Sequence, residues 1–351
     1  MIKTVKFVLF KIEMSLYHTP IWELFTNFAL KSTCRLHTMG YNKERYRTLK
    51  NIAYHILFVI WYIVSCLPLR FLYIISSILG FLLCHVIRYR KNVVRKNIAD
   101  AFPHLSERKR RMIEHRFYTH FCDIMMESVK YFSISKSEMR KRMRFKGVEL
   151  IEESCRKGRS CGIYLGHYGN WEWTSSMPLW TSNEWSQCVQ LYHPLENLVT
   201  DRLIFYTRQR FGGISIPANQ SIREIVKCKK SGKPLIIGFV ADQTPWWRDI
   251  HYWTNFLNHP ETPVFTGAER IMRKFDMDVY YLDIRRIKRG YYTAEYKLIT
   301  STPKDCPEFW ITEQYTRLME ETINRAPAYW LWSHKRWKRT KAEWLKITGG
   351  K

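Results

Sequence analysis

Between residues 52 and 87 the chain is almost free of charge. An apolar run at 52–67 is interrupted by Pro68, Leu69 and Arg70, and a second apolar run follows at 71–87. Each run is slightly short of the roughly 20 residues that an upright membrane-spanning helix needs. Basic residues bracket the pair: Arg45, Arg47 and Lys50 before it, Arg88, Arg90, Lys91, Arg95 and Lys96 after it. Both flanks therefore prefer the cytoplasmic side of a membrane. The pattern predicts a hairpin dipping into the bilayer, or two helices lying in it, with a hairpin buried in a protein core as the plainer alternative. The apolar stretch is too long for a cleaved signal and has no small-residue site after it.

Before this segment, residues 1–50 mix apolar stretches with Lys, Arg and His and show no clear period, so weak order is expected there. Met39 is a candidate translation start. After it, residues 91–145 read as helical and amphipathic. Ser106 is an N-cap candidate for a helix over 107–131, with Met112, Phe117, Phe121, Ile124 and Val129 near helical spacing and Arg108, Lys109, Arg110, Arg111 and Arg116 on the other face.

Beyond Gly147 the texture changes. Short apolar runs at 161–165, 188–192, 214–217, 235–240, 279–284 and 291–299 predict strands, the last two joined around Arg289 and Gly290. Helices are expected between them at 146–157, 172–180, 197–210, 220–230 and 267–275, the last with the spacing of a capping box from Thr266 to Glu269. Alternating strands and helices argue for an α/β fold with a mostly parallel central sheet flanked by helices. The organisation expected is a poorly defined extension at 1–50, a membrane anchor at 51–90 and an α/β domain at 91–345. In such a sheet, ligands bind where strand C-termini meet helix N-termini.

The segment Gly166 to Glu172 (Gly-His-Tyr-Gly-Asn-Trp-Glu) lies at such a junction, directly after the strand ending at Leu165. His167 would emerge at the edge of the sheet and Glu172 would sit in the next helix's first turn. A neutral imidazole is a good base near neutral pH, and a carboxylate on its other nitrogen fixes the tautomer and stabilises the imidazolium. Such a pair can take the proton of an acceptor alcohol as it attacks a thioester carbonyl. Gly166 and Gly169 permit tight turns whose amides could stabilise an oxyanion. With 12 His and 31 acidic residues in 351, about one His is followed five positions later by an acid by chance. The chain contains such a second copy, His18 and Glu23, in the irregular N-terminal stretch without strand or glycines. Context separates the two.

Composition sharpens the setting. Lys and Arg number 57 against 31 Asp and Glu, a formal charge of +26. Such a surface attracts anionic lipid, phosphorylated substrates or nucleic acid. No zinc finger, RNA-recognition signature or basic zipper is present, which argues against nucleic acid. The 14 Trp and 21 Tyr suit wet–apolar interfaces. Nine cysteines are scattered without a C-x-x-C pair, as expected of reduced thiols, and no metal-ligand cluster is readable.

Several blocks in order resemble the lysophospholipid acyltransferase superfamily, in the form of the bacterial lipid A late acyltransferases. They are Gly166 to Glu172; Leu191 to Asn197 followed by Arg208 to Gly213; Ala241 to Gln243 at a strand end; Phe265 to Gly267 before a helix; and Trp332 to Lys338. An apolar anchor ahead of an Arg-x-x-Val-Arg-x-Asn-like stretch, Arg90 to Asn97, is shared too. The match covers about residues 50–340. It departs from the family at His193, where many members carry arginine, and at Met277 to Val279, where a proline is usual.

The resemblance implies a membrane-bound O-acyltransferase with His167 and Glu172 as the catalytic pair and no cofactor. Its acyl donor would be carried by acyl carrier protein (or coenzyme A), its acceptor would be a lipid A precursor or similar glycolipid, and it would work at the cytoplasmic face of the inner membrane. A lysophospholipid or aminolipid acceptor would be served by the same blocks. Arg208 and Arg210 are candidates to clamp a phosphate, since guanidinium matches phosphate oxygens in pairs; solvated helix ends are the alternative. Asp242 and Gln243 are candidates to orient substrate, and Asn170 to donate a hydrogen bond near the site. The Trp332 to Lys338 cluster reads either as a basic aromatic face meeting lipid or as a structural cap. Two other functions are compatible with the sequence: a membrane-associated thioesterase or lipid hydrolase, for which the Gly-x-Ser-x-Gly elbow of a serine enzyme is absent, and a non-enzymatic basic protein binding anionic lipid or nucleic acid.

Overall fold

The computed structural model describes residues 43–349 apart from 183, 185, 193, 195, 196 and 231. His18, Glu23, Met39 and His193 lie outside the described residues. Helix α1 (Lys43–Cys66) and helix α2 (Leu69–Phe81) are separated at Pro68, and α2 continues through one π-helical turn, Leu82–Val86. Proline interrupts here because it has no N–H for a preceding carbonyl and disfavours helix at the residue before it.

Helix α2 buries one stripe, Leu69, Leu72, Ser76 and Gly80, at helical spacing. The stripe packs on helix α4 (Glu107–Lys130), and a Cβ added at Gly80 would come within 3.1 Å of Thr119 Cα. Only glycine lets the two backbones approach this closely. The outward stripe carries Phe71, Ile74, Ile78 and Phe81, each more than half exposed. Residues 69–86 form a helical stretch long and apolar enough to cross a membrane, while Tyr54–Cys66 is shorter.

Helix α3 (Lys91–Ala101) leads to α4, whose Ser106 N-cap accepts from the amide of Lys109 at 3.5 Å. The first half of α4 is amphipathic, but Met112 is exposed rather than packed. The second half is enclosed on nearly every side and carries His120, Asp123 and Glu127 inside the protein. After helix α5 (Lys136–Arg142) comes strand β1 (Met143–Lys146), where helix had been expected. Met143 and Phe145 point inward and Arg144 and Lys146 outward, the two-residue period of a half-buried strand.

The remaining chain runs helix α6 (Val148–Arg156), β2 (Cys161–Leu165), a 3-10 stretch at Glu172–Leu179, β3 (Gln187–Tyr192), α7 (Leu198–Gln209), β4 (Ile214–Pro217), α8 (Ser221–Lys229) and β5 (Leu235–Val240). A two-stranded hairpin β6 (Trp253–Phe256) and β7 (His259–Pro263) follows. Then come α9 (Gly267–Lys274), β8 (Asp278–Lys288), β9 (Tyr291–Thr300), α10 (Trp310–Arg325) and α11 (Lys341–Thr348). Seven strands form one sheet in the order β1-β9-β8-β2-β5-β3-β4. Strands β8, β2, β5, β3 and β4 are mutually parallel, and β9 returns antiparallel to β8 through the turn at Arg289 and Gly290. The mixed α/β fold with a mostly parallel, helix-flanked sheet is the one expected from the sequence. Strand β2 at its centre is buried at all five positions, as a parallel strand covered on both faces must be.

One local expectation fails. Thr266 does not cap α9; its hydroxyl is buried without a hydrogen-bond partner among the described residues, while Glu269 accepts from Thr312 N (2.9 Å) and Oγ1 (2.6 Å) on α10. Thr340 with Glu343 at the start of α11 does form a capping box.

Candidate active site

Strands β2 and β5 are neighbours in register, Leu165 opposite Val240, so the loops leaving their C-terminal ends lie side by side. The first loop carries Gly166 and His167, the second Asp242 and Gln243. A side chain at position 166 would strike Met319 at 2.5 Å and approach Asp242 Cγ at 3.2 Å. Glycine is what allows the loops to touch.

Across that contact His167 Nδ1 lies 2.7 Å from Asp242 Oδ1, and the His167 amide donates to Oδ2 at 2.9 Å. The Trp330 indole N–H donates to the same Oδ2 at 2.7 Å. Asp242 is 5 % exposed. Burial alone would raise its carboxyl. The neighbouring imidazole's charge, then the hydrogen bonds from the His167 ring, Trp330 and the His167 amide, outweigh it and bring the carboxyl down to about 2. An ionised carboxylate only accepts, so Nδ1 carries the ring proton and Nε2 presents the lone pair. Among the described residues, the Gln243 side-chain amide lies 3.3 Å from Nε2. The Trp171 ring meets the imidazole edge-on at 5.2 Å between centroids.

Glu172 opens the 3-10 stretch but is not bonded to His167. Its two oxygens accept from Arg208 Nε (3.1 Å) and Nη2 (2.8 Å), with the Trp171 indole on Oε1 at 3.2 Å. Trp171 thus stands between the histidine and the glutamate. The expected steadying of the imidazole by Glu172 is supplied instead by Asp242, because the strand pairing of β2 with β5 brings a carboxylate 75 residues away closer than one five residues away. Arg208, at the end of α7, loses hydration on burial, but Glu172 more than compensates and raises its pKa. Arg210 donates to Tyr131 O at 2.5 Å, outside this cluster, and burial lowers its pKa.

Asn170 is fully buried and used at both ends: Nδ2 donates to Glu127 Oε2 at 2.6 Å and Oδ1 accepts from Trp173 N at 2.9 Å. It shapes the loop from below. Gly169, at φ +57°, donates to Tyr329 O at 3.0 Å, and its carbonyl accepts from His120 Nε2 at 3.2 Å. The loop Gly166 to Glu172 is therefore bolted at Gly169 and Asn170 to α4 and to the segment before Trp330.

Of the candidate residues, the structure brings His167, Asp242 and Gln243 together, joins Glu172 to Arg208, and sets Asn170 and Arg210 apart. Sequence reading missed Trp330, His120 and Glu127. The latter two had a signal, since polar residues at 120 and 127 share one face with Asp123 and Phe117 in an otherwise apolar half-helix. The Trp332 to Lys338 segment is a packed cap. Asn97 on α3 donates to Trp332 O (2.8 Å) and His334 O (2.9 Å), Arg90 donates to Ser333 O (3.0 Å), and Arg336 is buried. Burial, then the charges of Arg336 and Lys338, push the His334 imidazole down to about 3, and it is neutral at physiological pH.

Comparison with known proteins gives two matches. Residues 40–339 match the profile of the family described as bacterial lipid A biosynthesis acyltransferase. A lipid A biosynthesis acyltransferase of Haemophilus influenzae is 23 % identical over 171 residues, which cover 49 % of this chain and 53 % of that protein. The matched stretch thus spans about half the length of the curated relative.

Proposed function

The chain belongs to the bacterial lipid A biosynthesis acyltransferase family, and from that premise we propose that it transfers a fatty acyl group from a thioester to a hydroxyl of a lipid A-type glycolipid. His167 Nε2 takes the acceptor's hydroxyl proton while the oxygen attacks the thioester carbonyl; the O–C bond forms and the C–S bond breaks. The imidazolium then returns its proton to the leaving thiolate. Asp242 holds the Nδ1–H and stabilises the imidazolium as it forms. Glu172 and Arg208 form a second charged pair on the far side of Trp171, available to position the acceptor or the donor. The donor is carried by acyl carrier protein or coenzyme A.

The observation that carries this reading is an imidazole at the C-terminal edge of a parallel sheet, with one nitrogen locked on a buried carboxylate and the other presenting its lone pair.

The setting is the surface of a bilayer. Fourteen of the twenty-six large apolar side chains exposed among the described residues lie between 52 and 87. A monomeric soluble protein rarely shows such a patch. Because α2 lies along α4 through a full stripe, its free face suits a helix lying in one leaflet rather than crossing both, at the cytoplasmic side of the inner membrane.

The test is an assay with acyl thioester, with and without acceptor glycolipid, on the parent chain and His167→Ala. The expected result is acyl-glycolipid from the parent and almost none from the variant. Free fatty acid formed regardless of acceptor would replace transfer by hydrolysis.

A further inference from the structure

A cleft of about 350 Å³ opens between α4 and the β8–β9 turn, within the range of ligand pockets. Its walls are His115 and Arg116 of α4, Arg286, Lys288 and Arg289 from the hairpin, and Tyr329. Among the described residues, no acidic side chain lines it. Beneath the floor Asp123 takes Arg286 Nη2 at 3.1 Å and Arg289 Nη2 at 2.6 Å, and Glu127 lies one helical turn further along α4. Asp123 and a partly protonated Glu127 leave the two guanidiniums with a surplus of positive charge, and Arg116 and Lys288 at the mouth add two more cations. The cleft is preorganised and electropositive, and guanidinium groups held in place by a buried acid lose little freedom on binding an oxyanion.

Its position selects the kind of anion. Arg289 also donates to α2, at Tyr73 O (3.0 Å), Ser76 Oγ (2.9 Å) and Ser77 Oγ (2.9 Å). The cleft therefore opens beside α2, whose outward stripe is apolar and exposed. Ile287, between the basic residues of the rim, is 63 % exposed. A cationic pocket flush with an apolar surface stands at the height of headgroup phosphates when that surface is in a bilayer.

The cleft also shares a wall with the candidate active site. Arg286 Nη1 faces His120 Nδ1 at 3.4 Å, His120 Nε2 donates to Gly169 O, and the Arg286 guanidinium lies over the Tyr329 ring, 5.0 Å from its centroid. Gly169 is two residues from His167. We propose that this cleft binds the phosphoryl headgroup of a membrane lipid beside the acyl-transfer site. The inference takes from the proposed function only the membrane setting.

The test uses the full chain carrying His167→Ala, so that binding is read without turnover. Dihexanoyl phosphatidic acid, kept below its micelle concentration, is titrated by calorimetry. Saturable binding at one site is expected. Arg116→Gln with Lys288→Gln, which leaves the Asp123 network intact, should weaken it about tenfold or more. Removing an equal charge on α8 and at its C-cap, with Arg223→Gln and Lys230→Gln, should change it by no more than about twofold. Equal affinity in the cleft variant, or no saturable binding, would overturn the proposal. Inorganic phosphate binding as tightly as the lipid would overturn it too, by assigning the cleft to a free anion. Turnover surviving His167→Ala would strike the proposed base and leave the binding result standing.

Discussion

Asp242 and Glu127 are carboxylates buried to nearly the same degree, 5 % and 0 % exposed, and each accepts three side-chain or backbone hydrogen bonds. Their carboxyls are shifted in opposite directions. Asp242 is held at about 2, whereas Glu127 is pushed up to about 7, by burial first and then by the charge of Asp123, against the hydrogen bonds of Tyr73, Tyr292 and Asn170. The donors decide it. Asp242 faces an imidazole that can carry charge, while Glu127 faces two phenols and an amide, all neutral, with another acid one helical turn away. At the rim of the sheet the protein is arranged to hold a cation; in the seam under α2 it is arranged to hold a proton.

The largest effect that would break this contrast is on turnover. Asp242→Asn keeps the shape but supplies an amide that cannot balance an imidazolium, and kcat should fall on the order of 10⁴-fold. A rate within tenfold of the parent, in a steady-state transfer assay, would remove Asp242 from the account. Glu172→Gln leaves Arg208 without its charge partner one ring away from the imidazole. A fall of about a hundredfold is expected, from misplacement rather than loss of the base. If Glu172→Gln proves the more damaging of the two, the roles assigned here are reversed.

The seam is read through stability against pH. Glu127 binds its proton more tightly folded than unfolded, so it favours the fold below its unfolded value near 4.5. That advantage is lost as pH rises to about 7. The span corresponds to on the order of 3 kcal/mol. Denaturant unfolding should show stability declining between pH 5 and 7, and Glu127→Gln should flatten that slope. Asp242 works the other way: its contribution is present above its unfolded value near 3.8 and is lost as pH falls toward 2. The smallest expected effect is at Gly169→Ala. There φ is positive and the new Cβ would lie 2.8 Å from Ile284 Cγ2. A loss of about 1–2 kcal/mol, measured by thermal melting, is expected.

The same contrast explains what could be read from the sequence. Strands such as 161–165 and 235–240 were legible because a parallel strand buried on both faces is a short unbroken apolar run. The apolar pair at 52–87 was legible because almost no charge interrupts it, although only one stripe of α2 is buried. Strand β1 was hidden because four alternating residues, Met143 to Lys146, follow a basic helix without a turn signal. Asp242 could be singled out as a strand-end acid, but its place on His167 depends on strand order, which local pattern does not carry. Glu172 looked like the natural partner because it lies five residues from His167, at the same strand–helix junction and within the family-like block Gly166 to Glu172. Likewise Thr266 and Glu269 have capping-box spacing, yet Glu269 is drawn to Thr312 by tertiary packing.

The account turns on which carboxylate holds the His167 ring, and nitrogen-15 NMR of the imidazole reads this directly. In the parent chain the neutral ring should carry its proton on Nδ1, with Nε2 bare. Asp242→Asn should lose that tautomer and Glu172→Gln should keep it. A ring that changes tautomer in Glu172→Gln while remaining unaltered in Asp242→Asn would contradict the pairing described here.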